Sequence, residues 1–109
     1  MQRMGMVIGI RPEHIDEYKV LHAAVWPGVL AKIADCNIRN YSIFLREPEN
    51  LLFGYWEYAG SNFEADMAAL AQLPVSKRWL ALTDPCQQRL PSAADGEWWS
   101  AMPEVFHLD

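Results

Sequence analysis

The run from Leu51 to Tyr58, LLFGYWEY, is apolar on both of its alternating phases: Leu51, Phe53 and Tyr55 fall on one, Leu52 and Trp56 on the other. Successive side chains of a strand point to opposite faces, so a sheet with one face in water alternates apolar with polar residues. This run instead asks for cover on both sides. Met4–Ile10 (MGMVIGI) has the same character and reads as a buried strand. Asn40–Leu45 (NYSIFL) supplies another, joined to Leu51–Tyr58 by the turn-rich Arg46–Asn50, which predicts an antiparallel hairpin.

Helical patterns fill the gaps. Arg11-Pro12-Glu13 opens one, with proline pre-set for a first turn and acids near the positive end of the helix. Ile15, Tyr18, Leu21, His22 and Val25 keep its period until Pro27 bends or restarts it, and it runs on to about Cys36. Asn62–Leu73 forms a second helix with Ser61 as its N-cap, and Pro74–Thr83 a short third. Residues 84–96 read as loop and Glu104–Leu108 (EVFHL) as a closing strand. The order β-α-β-β-α-β is the split βαβ pattern of a ferredoxin-like α+β fold with an antiparallel sheet, here one domain over residues 1–109. Its helices cover one face of the sheet, and no element remains for the other. A second copy of the same sheet is the simplest cover, so the expectation is a C2 homodimer packed sheet on sheet, a dimeric α+β barrel.

Charge and cysteine usage narrow the partners. A formal charge of −5 and the lack of any Lys/Arg cluster argue against nucleic acid and against an anionic membrane surface. No apolar stretch approaches the ~18 residues needed to span a bilayer, and the first strand-like run lacks a signal-peptide cleavage site. Cys36 and Cys86 stand far apart with no CxxC, which reads as two free thiols of a cytoplasmic protein. His14, His22 and His107 have no ligand spacing, so no metal is expected, and without GxGxxG or a phosphate loop no nucleotide cofactor either. No Gly-x-Ser-x-Gly elbow is present.

Chemistry concentrates on the first helix. Tyr18 and His22, spaced i, i+4, share one face, and Trp26 extends the stripe. A helix lying across a sheet explains such a stripe as core packing alone. An imidazole and a phenol bounded by aromatic rings also suit a neutral sugar. Asn40 and Tyr41 begin the second strand, where side chains either cap the hairpin end or border the opening between sheet and helices. Arg78 and Trp79 lie on the third helix, Trp79 as core plug or stacking platform. Glu57 reads as an exposed edge-strand charge.

The string Glu17–Pro27, EYKVLHAAVWP, resembles the E-Y-x-x-x-H-x-x-x-W-P signature of the L-rhamnose mutarotase family. Asn40–Ile43, Asn50–Phe53, Arg78-Trp79 and Glu104–Leu108 continue the likeness in the same order over nearly the whole chain. The resemblance implies a dimeric ferredoxin-like, cofactor-free isomerase that interconverts the α and β anomers of L-rhamnose. It places the acid/base role on His22 and sugar contacts on Tyr18, Tyr41 and a tryptophan pair, of which Trp79 is retained and the second position is Leu80. The segment from Asp84 to Trp99 also departs from the family's Asn-Pro-Asp-Asn-Ser-Pro-like loop, which makes L-fucose the rival substrate. Mutarotation needs a proton on the ring oxygen and loss of the C1 hydroxyl proton, and a histidine can give and take protons near neutral pH. His22 is expected to serve the ring oxygen, Tyr18 or an ordered water the C1 hydroxyl, Trp79 the apolar face of the sugar, and Tyr41 its hydroxyls. Two other classes share the architecture: a non-catalytic small-molecule sensor and a monooxygenase.

Overall fold

In the computed structural model, which describes residues 1–109, the chain is organised around strand β1 (Gln2–Ile10), hydrogen-bonded along both edges. On one side it pairs antiparallel with β3 (Leu51–Tyr58), from Gln2 opposite Tyr58 to Gly9 opposite Leu51, and β2 (Ile38–Arg46) lies antiparallel beyond β3. On the other side two short pieces share one strand line. β4 (Gln87–Gln88) lies opposite Ile10 and Gly9, and β5 (Ser100–Met102) resumes opposite Val7, Met6 and Gly5. Residues 89–99 leave that line and return to it.

This arrangement corrects two sequence expectations. A strand lies within the segment read as loop, and Glu104–Leu108 forms none. The fourth-strand place is already taken, and Pro103, lacking an N–H, ends the ladder after Met102. The tail is tied back only at its root, where Arg3 and Glu104 form a paired contact with Nε–Oε2 at 2.7 Å. The spatial order β2-β3-β1-β4 is that of the expected ferredoxin-like α+β fold.

Helices α1 (Ile15–Ala23), α2 (Pro27–Asp35), α3 (Phe63–Gln72) and α4 (Pro74–Thr83) accompany the sheet, with prolines setting two of the breaks. Trp26 before Pro27 and Leu73 before Pro74 are both extended, as the proline ring requires of the preceding residue. Ile8 and Ile10 of β1 and Leu52 of β3 pack against Ile15 and Tyr18 of α1, with Cys86 beside them. Ile38, Trp56 and Tyr58 form a second cluster with Ile33, Phe63, Met67 and Leu70 around it. The alternate rows, such as Val7–Phe53–Phe44 in register, belong to the opposite face, and Phe44 keeps 64 % of its surface exposed.

Strand β2 does not run straight. Between Arg39, opposite Glu57, and Ser42, opposite Tyr55, two residues face one, which is a β-bulge, and Asn40 takes φ 51° there. Asparagine is among the few non-glycine residues that enter this region readily. The extra residue shifts the alternation, so that Ile38 and Tyr41 both turn to the helix side. On the open side the Asn40 amide donates to Glu57 Oε1 and the Tyr55 hydroxyl to Oε2.

Helix α3 is anchored by a polar knot. Its N-cap is Asn62, whose side chain accepts from the Ala65 N–H at 3.2 Å, and not Ser61 as the sequence pattern had it. The Tyr58 hydroxyl and the Asn37 amide both donate to Asp66 Oδ2, and these bonds, Tyr58's first, hold the Asp66 carboxyl below its ordinary range. A depressed folded-state value contributes stability above the unfolded pKa of about 3.9, lost as pH falls through the lower folded value. Asp66→Asn is therefore expected to unfold at lower urea than the parent from pH 5 to 8. The gap should narrow as pH falls below about 4 and close only below the depressed folded-state value, where the parent side chain is also neutral.

Candidate functional site

His22 sits in the last turn of α1, stacked on the Tyr18 ring one turn back, with centroids 4.2 Å apart and planes inclined by 28°. Its Nδ1 lies 3.0 Å from the backbone carbonyl of Tyr18. A carbonyl only accepts, so Nδ1 carries the hydrogen and Nε2 is left as the free ring position. Trp79 of α4 meets the imidazole edge-on at 5.4 Å, and Trp26 meets Trp79 in the same way at 5.2 Å. The ring is thus held by one hydrogen bond and two aromatic neighbours, which fixes its orientation before any ligand arrives.

Tyr18, His22 and Trp79 border a cavity of about 250 Å³. Tyr18 and His22 come from α1, Tyr41 and Ile43 from β2, Trp79, Leu80 and Thr83 from α4, and Asp84, Gln87, Trp98 and Trp99 from the segment that follows. The five positions that the family resemblance marked, Tyr18, His22, Tyr41, Trp79 and Leu80, line this one space, while Trp26 and Asn40 do not. An apolar hollow of about 330 Å³ adjoins it through His22, Tyr41, Ile43 and Trp79. Arg78, next to Trp79, is exposed and lines neither, and Glu57 belongs to the other sheet face. Another hollow, about 380 Å³, is lined by Gly9–Glu13, Glu49–Leu51 and Gln88–Pro91, with no His, Tyr or Trp among them. It offers charge but no imidazole, phenol or aromatic stacking surface, so size alone does not mark the site.

Tyr18 is 5 % exposed, and burial pushes its phenol above the ordinary range while a hydrogen bond from Gln87 works against that shift. It therefore stays protonated at neutral pH and keeps an O–H to donate. Tyr41 is 42 % exposed, yet desolvation by the protein atoms around its hydroxyl still raises its pKa. Burial also raises the Asp84 carboxyl.

The excursion over residues 89–99 was seen in the sequence only as an unusual loop, and it builds one wall of the cavity. Arg89 ties it together by donating to the carbonyls of Ala93, Ala94 and Glu97, and the Glu97 carboxylate accepts from the N–H groups of Ala94 and Ala101. Trp99 then lies over β3 at Gly54. A Cβ at position 54 would come within 3.0 Å of Met6 Cγ and 3.4 Å of Trp99 Cζ3. The bare glycine in LLFGYWEY thus makes room for this ring, and that glycine was the one signal in the sequence of something packed there.

Metal-capable side chains do meet, although sequence spacing had excluded them. His14 Nδ1, Glu17 Oε2 and Cys86 Sγ lie within 4.8 Å of one another. Their own bonds account for the group: His14 contacts Glu17 at 2.8 Å, and the Cys86 thiol, its pKa raised by burial, donates to Glu17 at 3.6 Å. Cys86 is fully buried and keeps its proton, a poor state for a zinc-type ligand, which must be a thiolate.

Three comparisons bear on this arrangement. A family model described as L-rhamnose mutarotase matches residues 3–108. A protein named L-rhamnose mutarotase from Pectobacterium atrosepticum is 36 % identical over 110 aligned positions covering all of both chains. Among solved structures, an L-rhamnose mutarotase from Formosa agariphila superposes with a TM-score of 0.79 at 23 % identity over the full length of both chains. An antibiotic biosynthesis monooxygenase superposes with a TM-score of 0.60 at 18 % identity over 96 % of this chain and 99 % of its own. At these identities the two structures speak for the fold alone. Gly54→Ala is expected to cost about 1–3 kcal/mol by overpacking and to alter the near-ultraviolet circular dichroism of the tryptophans, measured with urea titration on the same samples.

Proposed function

The chain belongs to the L-rhamnose mutarotase family, and we propose that it interconverts the α and β anomers of L-rhamnose in the cavity around His22. It is a carbohydrate isomerase. The observation that carries the site assignment is the pinned imidazole: Nδ1–H is engaged by the Tyr18 carbonyl, which leaves Nε2 for the substrate. In this reading protonated Nε2 gives its proton to the ring oxygen as the C1–O bond breaks and the C1 hydroxyl, losing its proton to water, becomes the aldehyde. Rotation about the C1–C2 bond presents the other face of the carbonyl. The ring then closes as the C5 hydroxyl adds to the carbonyl and returns its proton to Nε2, while the carbonyl oxygen takes a proton back from water to become the new C1 hydroxyl. No redox change or covalent intermediate is required, and positioned acid/base catalysis contributes typically ~10²–10⁴-fold.

The other roles follow from what each side chain has to offer. Tyr18, kept protonated, donates a hydrogen bond to a sugar oxygen. Trp79 and Leu80 present apolar surface to the sugar's C–H face and its C6 methyl, and Tyr41 contacts hydroxyls. L-Fucose, also a 6-deoxy-hexose, is the competing substrate because Leu80 and the 84–99 segment are the parts that depart from the family pattern. A sensor that merely binds sugar would use the same free nitrogen only as a hydrogen-bond partner and leave anomer exchange at its rate in water.

The open sheet face is the proposed dimer interface. The row Val7–Phe53–Phe44 faces away from the helices, and beside it the tail leaves Val105, Phe106 and Leu108 at 94 %, 78 % and 80 % exposure. Apolar surface of this kind on a small protein is ordinarily covered. No helix is long and apolar enough to cross a membrane, and two buried free thiols are in keeping with a cytoplasmic location.

Two outcomes are expected. In saturation-transfer NMR on the anomeric protons, His22→Ala should slow protein-catalysed exchange of L-rhamnose by ~10²–10⁴-fold, with L-fucose run in parallel to rank the two sugars; a variant as fast as the parent would remove His22 from the mechanism. Light scattering at micromolar concentration should give twice the chain mass, and Phe44→Glu, which buries a charge in the proposed interface, should give the single mass.

A further inference from the structure

We infer that Gln87 is a positioning residue for Tyr18, and that Trp98, returned to the cavity by the 89–99 excursion, holds Gln87 in the orientation that makes Tyr18 a donor toward the sugar. The inference rests on the mutarotase reading and names residues that set its proton geometry. Gln87 is 4 % exposed, and both ends of its amide are engaged: Oε1 accepts from the Trp98 indole N–H at 2.6 Å, and Nε2 donates to the Tyr18 hydroxyl oxygen at 3.2 Å. An indole N–H can only donate. The amide end that faces it must therefore be the oxygen, and the NH₂ end is turned to Tyr18. With its oxygen already receiving that hydrogen bond, Tyr18 has its own O–H left for another acceptor, and the space before it is the cavity shared with His22.

The polarity of the chain, indole to amide to phenol to ligand, is thus set by its first member. A glutamine alone would not fix it, because a phenol accepts or donates equally well and the amide would be free to flip. Donation from Gln87 also favours the negatively polarised phenol oxygen, which offsets part of the upward shift that burial imposes and makes Tyr18 the better donor. Trp98 is 39 % exposed, so its ring is not held by core burial alone. The loop that departs from the family pattern reaches the reacting centre through this contact, which gives the departure a chemical consequence.

The test is a mutant cycle read by anomer exchange at saturating and subsaturating sugar. Gln87→Met keeps the length of the side chain and removes both hydrogen bonds; Trp98→Phe keeps a ring and removes only the N–H. In the parent background Gln87→Met is expected to lower the saturated rate about tenfold, in line with a lost hydrogen bond of ~1.4 kcal/mol, and Trp98→Phe about threefold, with KM changed less than the rate. Combined with Tyr18→Phe, Gln87→Met should cost less than a further twofold, because its effect passes through the hydroxyl already removed. Full tenfold additivity in that background, or an active parent whose rate ignores Gln87→Met, would overturn the inference while leaving the mutarotase reading intact. A parent that accelerates exchange of neither L-rhamnose nor L-fucose would overturn the parent reading and this inference with it. Should Gln87→Met fail to fold by circular dichroism, Trp98→Phe alone and in the Tyr18→Phe background decides by the same criterion.

Discussion

The strand line along the outer edge of β1 is the constraint from which the rest follows. β1 needs a partner on that edge to satisfy its backbone groups, and the chain supplies one in two antiparallel pieces, Gln87–Gln88 and Ser100–Met102, whose registers are offset by the residues looped out between them. The residues between them are free to leave the sheet because the pieces at either end are fixed by it. That freedom is what brings Trp98 and Trp99 round to the helix side, where one contacts Gln87 and the other lies over Gly54. Had the edge been one continuous strand, the cavity would lack a wall and Gln87 the indole that orients it.

Much of this was legible in sequence, for identifiable reasons. The paired phases of LLFGYWEY fixed β3 at Leu51–Tyr58 residue for residue, and Pro74 marked the start of α4, because binary pattern and proline are the strongest local signals available. The Tyr18–His22 stripe was visible as spacing, though spacing could not say whether it faced core or cavity. Three things were out of reach. The β-bulge at Asn40 and Tyr41 depends on a positive φ that no apolar pattern encodes, and it is what turns Tyr41 to the helix side. The two-residue strand at Gln87 is too short to show a period. EVFHL looked like a strand because it is apolar, but its partner on β1 was already taken, so the tail stands free with Phe106 exposed.

The chemistry needs little beyond rigidity and one free nitrogen. Uncatalysed ring opening already proceeds in water, so the protein has only to hold a proton donor and acceptor against the ring oxygen and to keep the phenol beside it neutral. In the proposed mechanism Tyr18 stacked on His22, Trp79 edge-on to it and the carbonyl at its Nδ1 provide the first. Burial of Tyr18 provides the second. The proposed site is the cavity around His22, although a larger hollow lies between Arg11 and Arg89.

That disagreement between size and chemistry makes one measurement the most direct test of the account: the crystal structure of the protein soaked with L-rhamnose. The account predicts the pyranose in the cavity bounded by His22, Tyr18, Trp79 and Trp98, with its ring oxygen within hydrogen-bonding distance of His22 Nε2 and its C6 methyl against Trp79 or Leu80. A sugar seated instead in the polar hollow between Arg11 and Arg89, with the His22 cavity empty of it, would contradict the assignment of the site.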